Sequence, residues 1–427
     1  MSNEMVRGMT EEEATAVVRF ALKVGEHLQI NGGEVSRVED TIQRICRAYG
    51  AARVDVFAIT SVIVVTAIWS GGVVITQSRR VKGMEKNTTR IEAINSISRE
   101  VCANPIPVKE AHKKLDAAIE KGSLTKRRFL IGSLIATTSF AAFFGGDWKD
   151  VLVAFFVTFL IVFSQFASSY LGGNHILANV MCCFFASTAA TLICFWTGAS
   201  LDMVMAGCIM VLIPGISMTS AIENLILGDT LSGLLGLMEA MITALALAGG
   251  FMMSQMVIGD ILAGFPAIGD PSGWLFQAIQ VVTSFTGSIG FSLLFGLRGK
   301  QLPVAAAGAA ITWGVYLLAE LCGSGVFLGN VIAAVFAGIY TEVFVRYLKV
   351  PKTVLTFSVV VSLIPGRALY NTMKYIFNSD FAHFVNNGMI TLSVAAGIAI
   401  GITIVLVGAQ ARNKILDARR AAKQKKA

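Results

Sequence analysis

The tetrapeptide Leu-Ile-Pro-Gly at residues 212–215 returns at residues 363–366, an offset of 151 residues. The same offset, kept without gaps, pairs further residues with identical ones. These pairs are Asn179 with Asn330, Ala186 with Ala337, Asp229 with Asp380, Gly172 with Gly323 and Gly145 with Gly296. A chance tetrapeptide would not bring the other positions into register. The chain therefore contains an internal duplication.

Each copy of the duplication holds five hydrophobic segments long enough to cross a bilayer. The first copy has them at 128–145, 150–171, 175–197, 201–227 and 231–256, and the second at 274–297, 302–320, 326–347, 353–377 and 386–410. Because five is odd, the second copy must enter the membrane in the opposite orientation. The sequence predicts a polytopic α-helical membrane protein of about ten transmembrane helices, arranged as two inverted five-helix repeats. A small cytoplasmic α+β domain precedes them.

Composition agrees with a membrane protein, since 55% of the residues are hydrophobic and 15% are charged. The net charge of +8 does not predict a nucleic-acid partner, because the basic residues lie beside hydrophobic segments and are not interleaved with aromatics. The ends of the sixth, eighth and tenth segments carry basic residues, and the loop from Val257 to Gly273 carries none. The other predicted extracytoplasmic connections also carry almost no basic residues, and Lys149 is the main exception. By the positive-inside rule, this predicts a multi-pass protein of the cell (plasma) membrane with both termini cytoplasmic.

Residues 1–125 form the predicted cytoplasmic α+β domain. Thr10, followed by three glutamates, predicts a helix start, and Asn31-Gly32-Gly33 predicts its end. Residues 54–77 are apolar enough to span a membrane, but they are rich in Val, Ile and Thr, and Ser70-Gly71-Gly72 divides them. Two or three strands are predicted here, with a membrane helix as the alternative. What this domain does is not readable, and gating, homo-oligomerisation and a structural role are open.

The predicted domain boundaries follow from the hydrophobic segments. Residues 126–256 form repeat 1, residues 257–273 an extracytoplasmic loop, residues 274–411 repeat 2 and residues 412–427 a basic cytoplasmic tail.

The Pro-Gly pairs lie in the middle of the fourth and ninth segments and predict two interrupted helices. Proline removes a backbone donor, and glycine lets the chain leave helical geometry. Interrupted helices at matching positions of two halves indicate a substrate site, whereas a single one would indicate a proline kink. The predicted substrate-binding residues are Pro214, Gly215, Ser217, Thr219, Ser220, Glu223, Asn224, Pro365, Gly366, Arg367, Tyr370, Asn371 and Lys374.

Arg367 is the predicted anchor for a substrate carboxylate, because a guanidinium and a freed helix N-terminus both attract anions. It shares one helical face with Tyr370, Asn371 and Lys374. Two alternatives remain open: Arg367 could pair with an internal acid, and Lys374 could extend to the membrane interface.

Three acids lie inside predicted spans. Glu239 and Glu320 are the predicted proton-coupling residues, whereas Glu342 is predicted to pair with Arg346, one turn further on. The four histidines are scattered and the cysteines form no CxxC pair, so no metal site and no cofactor are predicted. There is no nucleophile–base constellation and no phosphate-binding loop, which argues against an enzyme and against an ATP-driven pump.

The motifs resemble those of the bacterial threonine/serine exporter family over nearly the whole chain. In the N-terminal domain they are residues 33–42 (GEVSRVEDTI) and the segment ending at residues 77–81 (QSRRV). In repeat 1 they are Ile-Pro-Gly at 213–215, LGDTLSG at 227–233 and Glu239-Ala240. Ile-Pro-Gly at 364–366 with Leu369-Tyr370 resembles a second module, which some members carry as a separate chain. Departures occur at Glu223-Asn224, where the family pattern has arginine and aspartate, and at Gly236, where it has arginine.

The resemblance implies a secondary active exporter of a small carboxylate such as threonine or serine, working by alternating access as a proton-coupled antiporter. Succinate, the substrate class of the split-chain relatives, is the alternative. The departures leave the substrate open. An anion channel or a membrane sensor is the alternative from another class, and the absence of polar faces along whole spans disfavours a wide pore.

Overall fold

The computed structural model describes residues 9–33, 35–82, 88–121, 125–170, 175–213, 215–262, 272–348, 350, 352–377 and 380–424. Within it the chain separates into two compact units, Met1–Thr125 and Lys126–Ala427.

The N-terminal unit combines four helices with one three-stranded sheet. The elements are α1 (Glu11–Ile30), α2 (Val35–Ala48), β1 (Ala51–Ile59), β2 (Val62–Trp69), β3 (Val74–Arg80), α3 (Thr88–Ala103) and α4 (Val108–Lys121). The sheet is antiparallel throughout, with strand order β1-β2-β3. The strand prediction for residues 54–77 is therefore confirmed, and the membrane-helix alternative is wrong.

Local chemistry sets both ends of α1. The Thr10 side chain accepts a hydrogen bond from the backbone N–H of Glu13, and the Glu13 carboxylate accepts one from the Thr10 backbone N–H. This capping box satisfies N–H groups that have no partner inside the helix. The helix stops at Asn31, where Gly32 adopts a φ of 90°, a conformation that costs glycine little.

The core of this unit forms where α1 and α2 cover one face of the sheet. Along β2 every second side chain is buried, namely Ile63, Val65, Ala67 and Trp69. These pack with residues of α1 such as Phe20 and Leu22 in one hydrophobic cluster. Burying a large apolar side chain stabilises the fold by about 1.5–3 kcal/mol, so the period-two pattern helps to hold the sheet against the helices.

The membrane unit is entirely helical in its described part. Its elements are α5 (Lys126–Phe143), α6 (Trp148–Tyr170), α7 (His175–Thr197), α8 (Leu201–Ile209), α9 (Gly215–Ile226), α10 (Thr230–Leu262), α11 (Trp274–Leu294), α12 (Gln301–Leu321), α13 (Gly325–Leu348), α14 (Lys352–Val360), a 3-10 turn (Val361–Leu363), α15 (Gly366–Phe377) and α16 (Phe381–Gln424).

Several residues paired by the 151-residue offset do the same structural job. Gly145 and Gly296 follow α5 and α11 with φ values of 104° and 86°, and both close the same C-terminal helix cap. Asp229 and Asp380 precede α10 and α16, and each accepts a hydrogen bond from a backbone N–H of the following first turn. Gly172, another paired position, lies outside the described residues.

Corresponding helix pairs pack together in the two halves of the membrane unit, α5–α10 and α11–α16. α7 packs against α10 as α13 packs against α16, and α6 packs against α7 as α12 packs against α13. The two halves meet where α5 packs against α11. A Cβ added at Gly132 would lie 2.9 Å from the Gly290 carbonyl oxygen, and one added at Gly290 would overlap the Ala136 backbone. Glycine allows this close backbone approach.

Six described helices are long and apolar enough to cross a membrane, and a seventh span results if α14 and α15 count as one. The protein is therefore a multi-pass membrane protein with a small sheet-containing unit at its N-terminus. α5, α8, α9 and α11 are helices at the predicted places, but length and hydropathy do not by themselves mark them as spans.

Two boundaries differ from the sequence prediction. α10 continues to Leu262, with a kink at Ile258, so part of the predicted loop 257–273 is helical. Residues 263–271 of that loop lie outside the described residues. α16 continues to Gln424, because the basic tail is rich in alanine, arginine and lysine and extends the helix of the tenth segment. Residues 425–427 and Lys349 also lie outside the described residues.

Candidate transport site at the helix breaks

The fourth hydrophobic segment is interrupted as predicted. Its first part, α8, ends at Ile209, and its second part, α9, begins at Gly215. Pro214 itself lies outside the described residues. Met210 to Ile213 connect the two parts as a turn, which leaves the backbone N–H groups of the first turn of α9 without intrahelical partners.

The ninth segment is interrupted in the same way. α14 gives way to a 3-10 turn at Val361–Leu363, and α15 begins at Gly366, with the helix axis bent by 59°. The Pro365 carbonyl accepts a hydrogen bond from the Leu369 N–H at 3.0 Å, so α15 starts directly after the proline. The Pro-Gly prediction of two broken helices is confirmed. The breaks occur at proline because it has no backbone N–H to donate to the preceding turn.

The two breaks lie against each other. A Cβ added at Gly366, the first residue of α15, would overlap Met210 Sδ at the end of α8 and lie 3.6 Å from Phe144 Cζ. Met210, Phe144 and Ile364 belong to one buried hydrophobic cluster. The residues preceding and following the second break are therefore packed directly on the first break.

Hydroxyl groups of α11 support the second break. The Ser288 hydroxyl donates to the Ser358 carbonyl oxygen at 2.7 Å, and the Ser284 and Ser362 hydroxyls are hydrogen-bonded to each other. All four residues are buried. Backbone and side-chain polar groups near an interrupted membrane helix need such partners, because there is no water in hydrocarbon to supply them.

The predicted polar face of α15 exists, and its residues have different surroundings. Arg367 and Asn371 are half-buried, and Tyr370 is buried. Lys374 Nζ donates to both carboxylate oxygens of Asp202, at 2.7 and 2.8 Å, and the Tyr370 hydroxyl donates to Asp202 Oδ1 at 3.1 Å. Lys374 therefore forms an ion pair with Asp202.

Asp202 is the site residue that sequence reasoning missed. It lies in the first turn of α8, where an acid is an ordinary helix-terminus residue, so its sequence context carries no signal of function. Its partners lie 168 and 172 residues further along the chain. The sequence could have indicated Asp202 only if two features had been considered together. These are the polar face of α15 and an acid at the start of the other interrupted segment.

The predicted residues of the first break lie along α9. Thr219 is buried, and Ser217, Ser220, Glu223 and Asn224 are half-buried. α9 packs against α10 and α16, where Gly236 allows a close approach to Ala221.

The intramembrane acids separate into two kinds. Glu239 on α10 and Glu320 near the end of α12 are exposed, and the structure does not bring them to Asp202. Glu342 lies 3.4 Å from Arg346, 3.0 Å from Lys352 and 3.0 Å from Arg412. The predicted structural role of Glu342 is confirmed, and its network ties α13 to the start of α14 and to α16.

A helical membrane unit with two interrupted helices in mutual contact is an architecture of membrane transporters. Comparison with known families gives the particular one. A model described as a putative threonine/serine exporter matches residues 19–258, and one described as Threonine/Serine exporter, ThrE, matches residues 280–407. The first match alone spans more than half of the chain, so the chain belongs to the threonine/serine exporter family.

Two relatives are similar along much of their length. The threonine/serine exporter of Corynebacterium glutamicum is 22% identical over an alignment of 419 residues, gaps included, that covers 92% of this chain and 82% of the relative. The probable succinate transporter subunit YjjP of Escherichia coli (strain K12) is 22% identical over an alignment of 262 residues, gaps included, that covers 59% of this chain and 98% of the relative. No solved structure matches the chain.

Proposed function

We propose that this protein is a secondary active exporter that carries threonine, serine or a related amino acid out of the cell by proton-coupled alternating access. The observation that carries the proposal is the contact between the two helix breaks, Gly366 against Met210, in a chain of the threonine/serine exporter family. This contact sets the N-terminus of α15 against the end of α8, beside the first break. A membrane tolerates such interrupted backbone only inside protein or at a wet cavity.

The chemistry of the two breaks fits an amino acid. Arg367 lies in the first turn of α15, where its guanidinium and the positive end of the helix dipole both favour a carboxylate. α9 supplies hydroxyls at Ser217 and Thr219 and a carboxylate at Glu223. In the proposed site these bind the substrate hydroxyl and ammonium groups, and Pro214, Ser220 and Asn224 belong to the same side of it.

The proposed membrane topology is ten spans in two inverted five-helix repeats, with both termini in the cytoplasm. The shared caps at Gly145 and Gly296, and the shared packing order of the two helix sets, support the repeat. Inverted halves provide two equivalent gates on opposite sides of one site, which is the basis of alternating access. Glu239 and Glu320 remain the proposed proton-coupling residues.

The test is substrate efflux from loaded vesicles with labelled serine, threonine and succinate. Loss of a charge-assisted hydrogen bond predicts that Arg367→Gln weakens apparent affinity about ten- to hundredfold, and that Arg367→Lys weakens it less. Arg346→Gln, at an exposed residue away from the breaks, is the matched control and leaves affinity unchanged. An Arg367→Gln protein with wild-type affinity for every carboxylate would contradict the anchor.

Dicarboxylate export is the second candidate, favoured by the similarity to the succinate transporter subunit over 98% of that relative. Glu223 discriminates between the two substrates, because a carboxylate attracts an ammonium group and repels a second carboxylate. With Glu223→Gln, serine efflux decreases if the substrate is an amino acid. If the substrate is a dicarboxylate, succinate efflux is unchanged or increases. A channel would instead show no counterflow, since counterflow needs a carrier that exposes its site alternately.

A further inference from the structure

Asp202, Tyr370 and Lys374 form a polar cluster between the two interrupted segments. Asp202 receives hydrogen bonds from Lys374 at 2.7 and 2.8 Å and from Tyr370 at 3.1 Å. Asp202 belongs to the first half of the chain, and both of its partners belong to the second half. In the proposed topology the start of α8 and the end of α15 both lie on the extracytoplasmic side, so the cluster lies between the breaks and the outside.

The Asp202 side of the cluster is anchored to the first half. Ser200, directly before α8, donates its backbone N–H to Asp150 Oδ1 at 2.6 Å, and the Asp147 N–H donates to Asp150 Oδ2 at 2.9 Å. Asp150 is buried at the start of α6. The first turn of α8, which carries Asp202, is therefore fixed to α6.

The other side of the cluster belongs to α15. Tyr370 is buried with its ring 5.8 Å from that of Phe251, and its hydroxyl reaches Asp202. Lys374 follows one turn later, in the last turn of α15, where a cation complements the helix dipole. α15 begins at the Pro-Gly break, so no continuous helix fixes its tilt to that of α14, and its far end is held by Asp202.

These contacts change what Tyr370 and Lys374 do. The Lys374 ammonium is neutralised by Asp202 and is therefore a poor anchor for a substrate carboxylate while the pair exists. The side chains of Asp202 and Lys374 retain 43% and 33% exposure, so the ion pair is partly hydrated. Partly hydrated pairs are weak, which suits a contact that must break and re-form in each transport cycle.

The duplication does not repeat the residues of this cluster at the corresponding positions of the other copy. The 151-residue offset carries Asp202 onto Thr353 and Lys374 onto Glu223, so the carboxylate–ammonium order is specific to this end. A contact required only to hold the repeat together would be expected in both copies.

We infer that Asp202, Tyr370 and Lys374 form the extracytoplasmic gate, a latch that joins the outer ends of the two interrupted helices while the site is open to the cytoplasm. This rests on the proposed function and its topology. Breaking the latch shifts the population toward the outward-open state, because it removes a contact made only in the outward-closed state.

The test measures access from outside. Asn371→Cys places a reporter thiol on α15, three residues before Lys374. The background is Cys322→Ser, which removes the exposed native thiol of the membrane unit. In right-side-out vesicles, an impermeant thiol reagent labels the reporter slowly while the latch is intact. Adding Asp202→Asn or Lys374→Met raises the labelling rate about tenfold, as expected when a minor open state becomes common.

The charge-swapped protein, Asp202→Lys with Lys374→Asp, is the matched control and returns the rate to near that of the intact latch. Tyr370→Phe removes one hydroxyl and gives a smaller increase, so it serves if a charge variant fails to fold. Unchanged labelling in folded Asp202→Asn and Lys374→Met proteins would overturn the gate. The measurement needs no substrate, so a latch that works in a protein exporting neither serine nor succinate would contradict only the proposed function.

Discussion

Asp150 shows how a single buried carboxylate positions an interrupted helix. It accepts backbone N–H groups from Asp147 and from Ser200, and it thereby joins the start of α6 to the start of α8. Asp150 is buried and Ser200 is half-buried, whereas Asp147 is exposed. Backbone donors left without a partner are costly, so the residue is more important for stability than an exposed acid of the same type.

Replacing Asp150 with alanine is expected to lower the free energy of unfolding by about 1–3 kcal/mol, because it removes two hydrogen bonds from backbone N–H groups to a charged acceptor. Asp150→Asn, which keeps one acceptor oxygen, is expected to cost less. The native buried thiols at Cys182, Cys183, Cys194 and Cys208 report unfolding when a thiol-reactive dye is present during heating. Asp55→Ala, at an exposed ion pair, is the control, and an equal loss in both proteins would contradict the role of Asp150.

At the scale of elements, Glu342 links α13 to two other helices. It contacts Arg346 on its own helix, Lys352 at the start of α14 and Arg412 on α16. The Arg346 side chain is 65% exposed, whereas that of Lys352 is 23% exposed. Solvent weakens the first pair, so the contact with Lys352 should carry most of the interaction.

A double-mutant cycle tests this ranking. The coupling between Glu342→Gln and Arg346→Gln is expected to be below about 1 kcal/mol, the range of exposed pairs. The coupling between Glu342→Gln and Lys352→Met is expected to be larger. Thermal unfolding of the single and double variants measures both, and equal coupling energies would show that burial does not distinguish the pairs.

The helices of the N-terminal unit carry two histidines whose pKa values are lowered in the folded protein. Burial lowers the pKa of His27 on α1 and of His112 on α4 below the ordinary value of 6.5, and Glu26 partly opposes the shift of His27. Because the folded pKa is the lower one, the unfolded state binds more protons below pH 6.5. The stability contribution is intact above that pH and is lost as the pH falls toward the folded pKa values.

Amide hydrogen exchange in the full-length protein measures this effect. Protection of α1 and α4 is expected to decrease between pH 7.5 and pH 5.5 after correction for intrinsic exchange, and to decrease less in His27→Gln/His112→Gln. Helices of the membrane unit are the internal reference. A pH response of the same size in the double variant would assign it to other groups.

At the scale of the whole molecule, Cys322 is a native reporter of the proposed topology. It is exposed and follows α12, whereas the other cysteines of the membrane unit are buried. In a ten-span arrangement with the N-terminus inside, the end of α12 lies outside. An impermeant maleimide should therefore label intact cells, and Cys322→Ser should abolish the signal. Labelling only after membrane disruption would contradict the topology.

Much of this molecule is encoded locally and could be predicted from the sequence. Thr10 and Glu13 start α1, alternating apolar residues form β2, and the Pro-Gly pairs interrupt two helices, because each depends on backbone chemistry within a few residues. The duplication likewise paired Gly145 with Gly296, and the structure shows that both close the same helix cap.

The tertiary structure alone decided which of these elements meet. Asp202 and Lys374 lie 172 residues apart, and neither has neighbours in the sequence that indicate its partner. The contact of Gly366 with Met210 is equally invisible, since it depends on how the two broken helices pack. Helix starts and breaks are set by the nearest residues and were therefore readable. A site assembled from the two halves depends on the packing of the whole membrane unit, which no local pattern specifies.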